Sequence, residues 1–258
     1  GVFAQLIIQM PALKRNGIRL RPRLNLRDPA LRETLSIGAP TVLVMLCSFA
    51  VVSVQTAASY SFSESGPSVL AYARLWFTLP YAFLAVPITT TMFTELAEMQ
   101  AEGNTQGVKR GIVSGTNQIL FFMIPFALYL MVFALPLVTL YHAGAFTMES
   151  VSAIASYLAV LAVALPFYGV NTYLQKVYSS VRKMGVFAGF NFVAGGVQIG
   201  LTMLAASGVG SLPFEAIAAA EAAFYVVADV CLFAYLRRHL GAFGLRSTLR
   251  ALACSLAL

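Results

Sequence analysis

Charge is scarce in this chain. Charged residues fill 10% of its 258 positions, against roughly a quarter in soluble domains. Hydrophobic residues fill 59%, more than one soluble core of this length could bury, so a soluble globular domain is excluded. Cysteine is also sparse, and Cys47, Cys231 and Cys254 form neither a CxxC pair nor a metal-ligand spacing. There are two histidines, His142 and His239, which the topology derived below puts on opposite membrane faces, where they could not share a metal. The chain has no HExxH, no phosphate-binding glycine loop and no hydrolase elbow. Nothing in it reads as soluble-enzyme chemistry, and neither a metal nor a cofactor is expected.

Long apolar runs are abundant instead. A transmembrane helix needs about 20 consecutive apolar residues. Six windows meet this, at 34–59, 69–94, 111–135, 150–174, 185–207 and 213–236. "GVFAQLIIQMPAL" (1–13) reads as the end of another helix, and "STLRALACSLAL" as the start of one. Gly1 has no basic region before an apolar stretch, so the opening is not a signal peptide. The fold class expected is an all-α polytopic membrane protein of six complete spans and two partial ones, cut from a longer protein.

The net charge of +7 would suit nucleic acid, but its placement argues otherwise. With loops assigned alternately to the two sides, 16 of the 17 basic residues fall on one side. The opposite loops, "YSFSESGPS", "PLVTLYHAGAFTMES" and "ASGVGSLP", have none. The positive-inside rule makes the basic side cytoplasmic. Segment 14–32, "KRNGIRLRPRLNLRDPALR", is the one long charged stretch. It reads either as an orienting loop against anionic headgroups or as a linker between two helical bundles. It ends in Asp28 and Pro29, a helix cap followed by a proline that loses no needed donor.

The seventeenth basic residue is Arg74, inside the run 69–94. A central arginine costs roughly 2.5–3.5 kcal/mol on insertion scales. It could snorkel to the outer interface, pair structurally with a carboxylate, or face a wet cavity and grip a phosphate with its planar fork. Glu221 and Asp229 are the intramembrane carboxylates, eight residues apart on one helix with Tyr225 between them. Both are candidates for ion or proton coupling. Otherwise they form a buried polar arrangement, Asp229 reaching Arg237. Gln55, Asn117, Asn171, Gln175, Asn191 and Gln198 add uncharged polar groups. Of these, Gln55, Asn171, Gln175 and Asn191 are candidate cavity groups, with interhelical hydrogen bonding as the alternative. Trp76 and Tyr60, Tyr72 and Tyr81 suit an outer aromatic belt.

Pro40, Pro80, Pro87, Pro125 and Pro166 lie within or beside the spans and are expected to bend them. GxxxG spacings at Gly111/Gly115, Gly185/Gly189 and Gly196/Gly200 are expected to pack helices within the chain.

Three quoted blocks, in order, resemble one family. They are "GVFAQLIIQMPALKRNGIRLRPRLNLRDPALRETLSIGAP", "YARLWFTLPYAFLAVPITTTMFTELAE" and "LYHAGAFT". The family is MurJ (MviN), the lipid II flippases of peptidoglycan synthesis. The family's eighth helix carries a "YA-x-R-L…P" block, and Arg74 falls on its arginine. Ala73 stands where an acid is frequent, and "LAVPITTTMF" replaces a Gly-Val-rich continuation.

The resemblance implies a MOP-exporter fold of two six-helix lobes and two further helices. Residues 1–13 would end helix six, 14–32 would be a cytoplasmic linker, 33–238 the C-terminal lobe, and 239–258 a loop and the start of helix thirteen. It implies alternating-access transport of lipid II, an undecaprenyl-diphosphate-linked precursor, across the bacterial cytoplasmic membrane. Arg74 would contact the head group, and the partners would be membrane lipids and possible cell-wall synthesis proteins. The alternatives are another MOP exporter, of polysaccharide-lipid or drugs, and a membrane scaffold that does not transport.

Overall fold

The computed structural model describes residues 29–141, 147–208 and 212–241, with Met10, Pro11 and Arg15. His142, Cys254, the Asp28 cap, the helix end at 1–9 and the further helix expected after 241 lie outside them. So does most of the basic linker. Contacts divide the chain into Gly1–Ser36 and Ile37–Leu258. Of the first unit the structure describes Met10, Pro11, Arg15 and the opening turns of α1.

The described residues contain no strand. The helices are α1 (Pro29–Tyr60), α2 (Gly66–Pro80), α3 (Val86–Ala101), α4 (Thr105–Val138), α5 (Met148–Leu161), α6 (Leu165–Ser180), α7 (Met184–Ala206) and α8 (Ala216–Leu240). A π turn (Tyr81–Ala85) joins α2 to α3, and a 3-10 turn (Ala162–Ala164) joins α5 to α6. These continuous pairs cross as single rods, so eight helices make six spans, each long and apolar enough for a bilayer. All six expected windows are occupied, and the chain is a multi-pass membrane protein.

Proline explains where the rods are interrupted. Pro80 closes α2 and Pro87 sits in the first turn of α3, so two missing N–H groups bracket the π turn. Pro166 opens α6 just after the 3-10 turn. Within α4, Phe133 leaves helical geometry (φ −103°, ψ 16°) three residues before Pro136. A helical carbonyl facing a proline loses its partner, which is where kinks and π turns form. Helix α1 runs through Pro40, and α4 through Pro125, without such a break.

The threonines after Pro87 need no other partner. Thr90 Oγ1 donates to Val86 O at 2.8 Å and Thr91 Oγ1 to Pro87 O at 3.0 Å. Hydroxyls bonded to their own helix are tolerated in lipid. The loops carry ordinary caps: Asn104 Oδ1 accepts from Gly107 N at 2.8 Å, and Thr147 Oγ1 from Ser150 N at 3.3 Å.

The core lies where α4, α5, α6 and α8 meet, around Tyr157, Tyr173, Tyr178, Ile119 and Met123, all essentially inaccessible. Small residues set the close approaches. A Cβ on Gly115 would collide with the Tyr173 ring, and one on Gly169 would lie 2.8 Å from Ile119. Tyr173 Oη donates to Gly111 O at 2.8 Å, locking α6 to α4. The first GxxxG pair therefore packs within the chain as expected. Gly185, Gly189, Gly196 and Gly200 face open space, and it is Gly195, outside both motifs, that admits Cys47 of α1. Tyr81 also departs from the belt expected of it: it sits in the π turn, its ring 4.6 Å from that of Tyr168.

Candidate functional site

The polar residues of the spans gather at two levels. The outer level is built by four rods. Arg74 lies eight residues into α2, about 12 Å from its outer end at 1.5 Å per residue. Gln55 lies five residues before the outer end of α1, and Glu221 five residues into α8. The side chains converge. Arg74 Nη2 donates to Glu221 Oε2 at 2.6 Å, and Gln55 Nε2 donates to the same oxygen at 3.2 Å.

The pair is asymmetric. The Glu221 side chain is 3% exposed and that of Arg74 is 39%. The carboxylate is the buried anchor, and the guanidinium is the part that reaches outward. A cavity of about 120 Å³ opens beside them. Its polar wall comprises Ser48, Gln55, Arg74, Asn191, Gln198 and Glu221, and its apolar wall includes Val51 and Phe224.

Aromatic rings pack beside the pair, and one of them, Tyr225, also lines the cavity. Tyr225 and Tyr168 lie edge to face with centroids 5.4 Å apart, and Phe77 packs on Tyr168 at 5.4 Å. An ion pair whose carboxylate is buried has its Coulomb attraction strengthened on that side, while its partly exposed cation is open to an anion in the cavity. Such a site can hold a phosphate or carboxylate only by sharing Arg74 with Glu221.

The inner level is simpler. Asn171 Nδ2 of α6 donates to Asp229 Oδ1 of α8 at 2.9 Å, both buried. Asp229 Oδ2 has no protein partner. Asp229 therefore turns to an amide rather than to Arg237.

The expected site residues thus separate. Arg74, Glu221 and Gln55 are bonded together, and Asn191 lines their cavity although its Nδ2 donates to Phe187 O of its own helix at 2.9 Å. Asn171 and Asp229 form the second group. Gln175, one turn along from Asn171, is half-buried and lines neither cavity described here. Ser48 was missed, and the signal was present: it stands seven residues before Gln55, as Asn191 stands seven before Gln198. That interval returns a helix to nearly the same face. Among the described residues no group of three or more His, Cys, Asp and Glu could hold a metal.

Comparison with known proteins agrees with this architecture. Residues 1–258 match the family described as Lipid II flippase MurJ. A probable lipid II flippase MurJ of Borreliella burgdorferi is 22% identical over 183 residues, 70% of this chain and 36% of its own. A second, from Vibrio cholerae, is 26% identical over 153 residues, 58% of this chain and 29% of its own. Among solved structures, a lipid II flippase MurJ in an inward closed conformation superposes with a TM-score of 0.72 at 20% identity, covering 97% of this chain and 52% of that one. A MOP superfamily transporter from Pyrococcus furiosus gives 0.75 at 15% identity, over 93% of this chain and 54% of that one. The fold is of the MOP-exporter type, and the chain spans about half the length of those transporters.

Proposed function

The chain belongs to the lipid II flippase MurJ family, and on that premise we propose that it forms the C-terminal lobe, residues 33–238, of a flippase for lipid II in the bacterial cytoplasmic membrane. The cargo is a lipid-linked oligosaccharide carrying a diphosphate, and no bond is made or broken. The lobe works by alternating access against a partner lobe. Its cavity receives the diphosphate from the cytoplasmic side and releases it outside.

The observation that carries this reading is the state of Arg74. It is the one basic residue inside the six apolar runs of the sequence, and its guanidinium is partly exposed at a polar cavity while Glu221 holds it from behind. A guanidinium presents five donors in a fixed fork, so one edge can stay on Glu221 while another meets a phosphate oxygen. Gln55, Ser48 and Asn191 line the same space and would meet the sugar-phosphate hydroxyls. Glu221 is the candidate for coupling, since a proton or cation taken up there would free Arg74. Asp229 with Asn171 is a second, deeper candidate, and Gln175 is the weakest of the proposed polar groups.

One observation favours a second reading. Glu221 cancels the charge of Arg74 locally, which suits a MOP exporter of a less anionic cargo. The deciding experiment is Arg74→Ala in the full-length transporter, expressed in a strain depleted of its own flippase. Loss of growth with normal membrane expression supports the flippase. Full complementation overturns it, and binding of cationic drugs in preference to lipid II would establish the second reading.

A further inference from the structure

A second cavity, of about 330 Å³, opens between α3 and α4, at the opposite, basic end of the bundle from Arg74. Its walls include Met92, Glu95 and Met99 of α3, Asn104 of the turn, and Arg110 and Ser114 of α4. Nothing in the transport reading uses it. We propose that this cavity binds the headgroup of a zwitterionic phospholipid of the phosphatidylethanolamine type from the cytoplasmic leaflet, its ammonium on Glu95 and its phosphate on Arg110.

The first argument is depth. Glu95 is the residue that ends the apolar run 69–94, and Arg110 is the residue before the run 111–135. On adjacent antiparallel helices these two boundaries meet at one level, where hydrocarbon gives way to headgroups. Met92 lies about one turn inside that boundary, and its flexible thioether suits the glycerol and first acyl carbons.

The second argument is charge. Glu95 and Arg110 line one cavity and are both exposed, yet among the described residues neither makes an ion pair within 4.0 Å. Arg110 Nε has only a long bond of 3.4 Å to Gln106 O of its own helix. The other charges at this end lie outside the cavity: Glu98 and Glu102 on the α3 side, Lys109 on α4, Arg182 and Lys183 between α6 and α7, Arg237 and Arg238 in the last turn of α8, and Lys176 on α6, whose Nζ stands over the Phe93 ring at 5.6 Å. The cavity thus offers one acid and one base, separated and unpaired.

A ligand matching both must carry a cation and an anion a few bonds apart. A primary ammonium donates three hydrogen bonds, which Glu95 can accept, and a phosphodiester matches the guanidinium fork. A purely anionic phospholipid would set its headgroup against Glu95. A choline headgroup has no N–H to give. The cavity volume falls at the small end of ligand sites, adequate for a headgroup and too small for a folded partner.

The test is native mass spectrometry of the purified full chain in micelles containing equal amounts of ethanolamine, choline and glycerol phospholipids with identical acyl chains. The ethanolamine lipid should be retained about tenfold over the other two, and millimolar soluble glycerophosphoethanolamine should not displace it. Glu95→Gln and Arg110→Gln should each reduce retention about tenfold. Glu98→Gln, on the same helix outside the cavity, should not. The charge-swapped Glu95→Arg/Arg110→Glu chain should recover retention, because a zwitterion can bind reversed. Equal retention of the glycerol lipid, displacement by the soluble headgroup, or retention unchanged in both single variants would overturn the proposal. Wild-type selectivity decides alone if the variants fail to fold. Loss of transport in Arg74→Ala bears on none of these outcomes, so the two proposals fail separately.

Discussion

Helix α8 carries two buried carboxylates eight residues apart, and the structure treats them oppositely. Glu221 meets a guanidinium and an amide beside a cavity. Asp229 meets one amide and keeps an orphan oxygen among packed side chains. A carboxylate without a cation is costly in a low-dielectric setting. Residue type alone therefore says little about an intramembrane acid. What matters is whether a charge of opposite sign reaches it, and whether that charge is shared with a cavity.

The sharpest way to break the comparison is to remove the shared charge. Arg74→Gln should abolish transport, read as complementation, and should also lower stability by about 3 kcal/mol because it strands a buried charge. Glu221→Gln should cost less, about 1 kcal/mol, because the guanidinium left behind is partly exposed and the glutamine oxygen can still accept from it. Thermal melting of the two variants in detergent should therefore rank Arg74→Gln well below Glu221→Gln. The reverse order would mean that the arginine, not the carboxylate, is the anchor. The Arg74→Gln/Glu221→Gln double variant should melt above Arg74→Gln alone.

Variants of the inner pair are expected to fall short of Arg74→Gln. Asn171→Leu removes the amide that donates to Asp229 Oδ1 and should cost about 1–3 kcal/mol. Gly115→Ala should cost about 1–3 kcal/mol by forcing Tyr173 off Gly111 O. Asp229→Asn should change melting by less than about 1 kcal/mol, since the acceptor for Asn171 survives. If Asp229→Asn instead stops transport without shifting the melt, the inner acid has a coupling role and the contrast between the two levels collapses.

How much of this was readable from the chain differs by level. The six spans were plain because uncharged runs of this length have few other uses. Arg74 stood out because the remaining sixteen basic residues obey one rule. Its partner did not stand out: Glu221 is 147 positions away, and nothing in either run states which helices adjoin. Asn171 and Gln175 looked equivalent at one helical repeat, yet one finds Asp229 and the other lies outside the cluster. The effect of each proline was equally hidden, since Pro40 and Pro125 pass without a break while Pro80 and Pro87 bracket a π turn. Neighbours decide whether a freed carbonyl is tolerated in place or unwound.

That π turn also sets a phase. Five residues, Tyr81–Ala85, wind more slowly than the helices on either side, so one helical wheel drawn through 66–101 misplaces everything beyond it. Arg74 and Glu95 occupy the ends of this span, and the angle between them is fixed by the slow segment rather than by their separation in sequence. Deleting one residue there, Ala82 for instance, would let the remaining four wind as an ordinary helix through about 400°, nearly the angle the five span as a π turn, so the two ends would keep their phase. With α3 seated on α4, Arg74 would keep Glu221, whereas the same deletion in the regular helix between Arg74 and the π turn would swing it away by about 100° although no residue of either site had been touched.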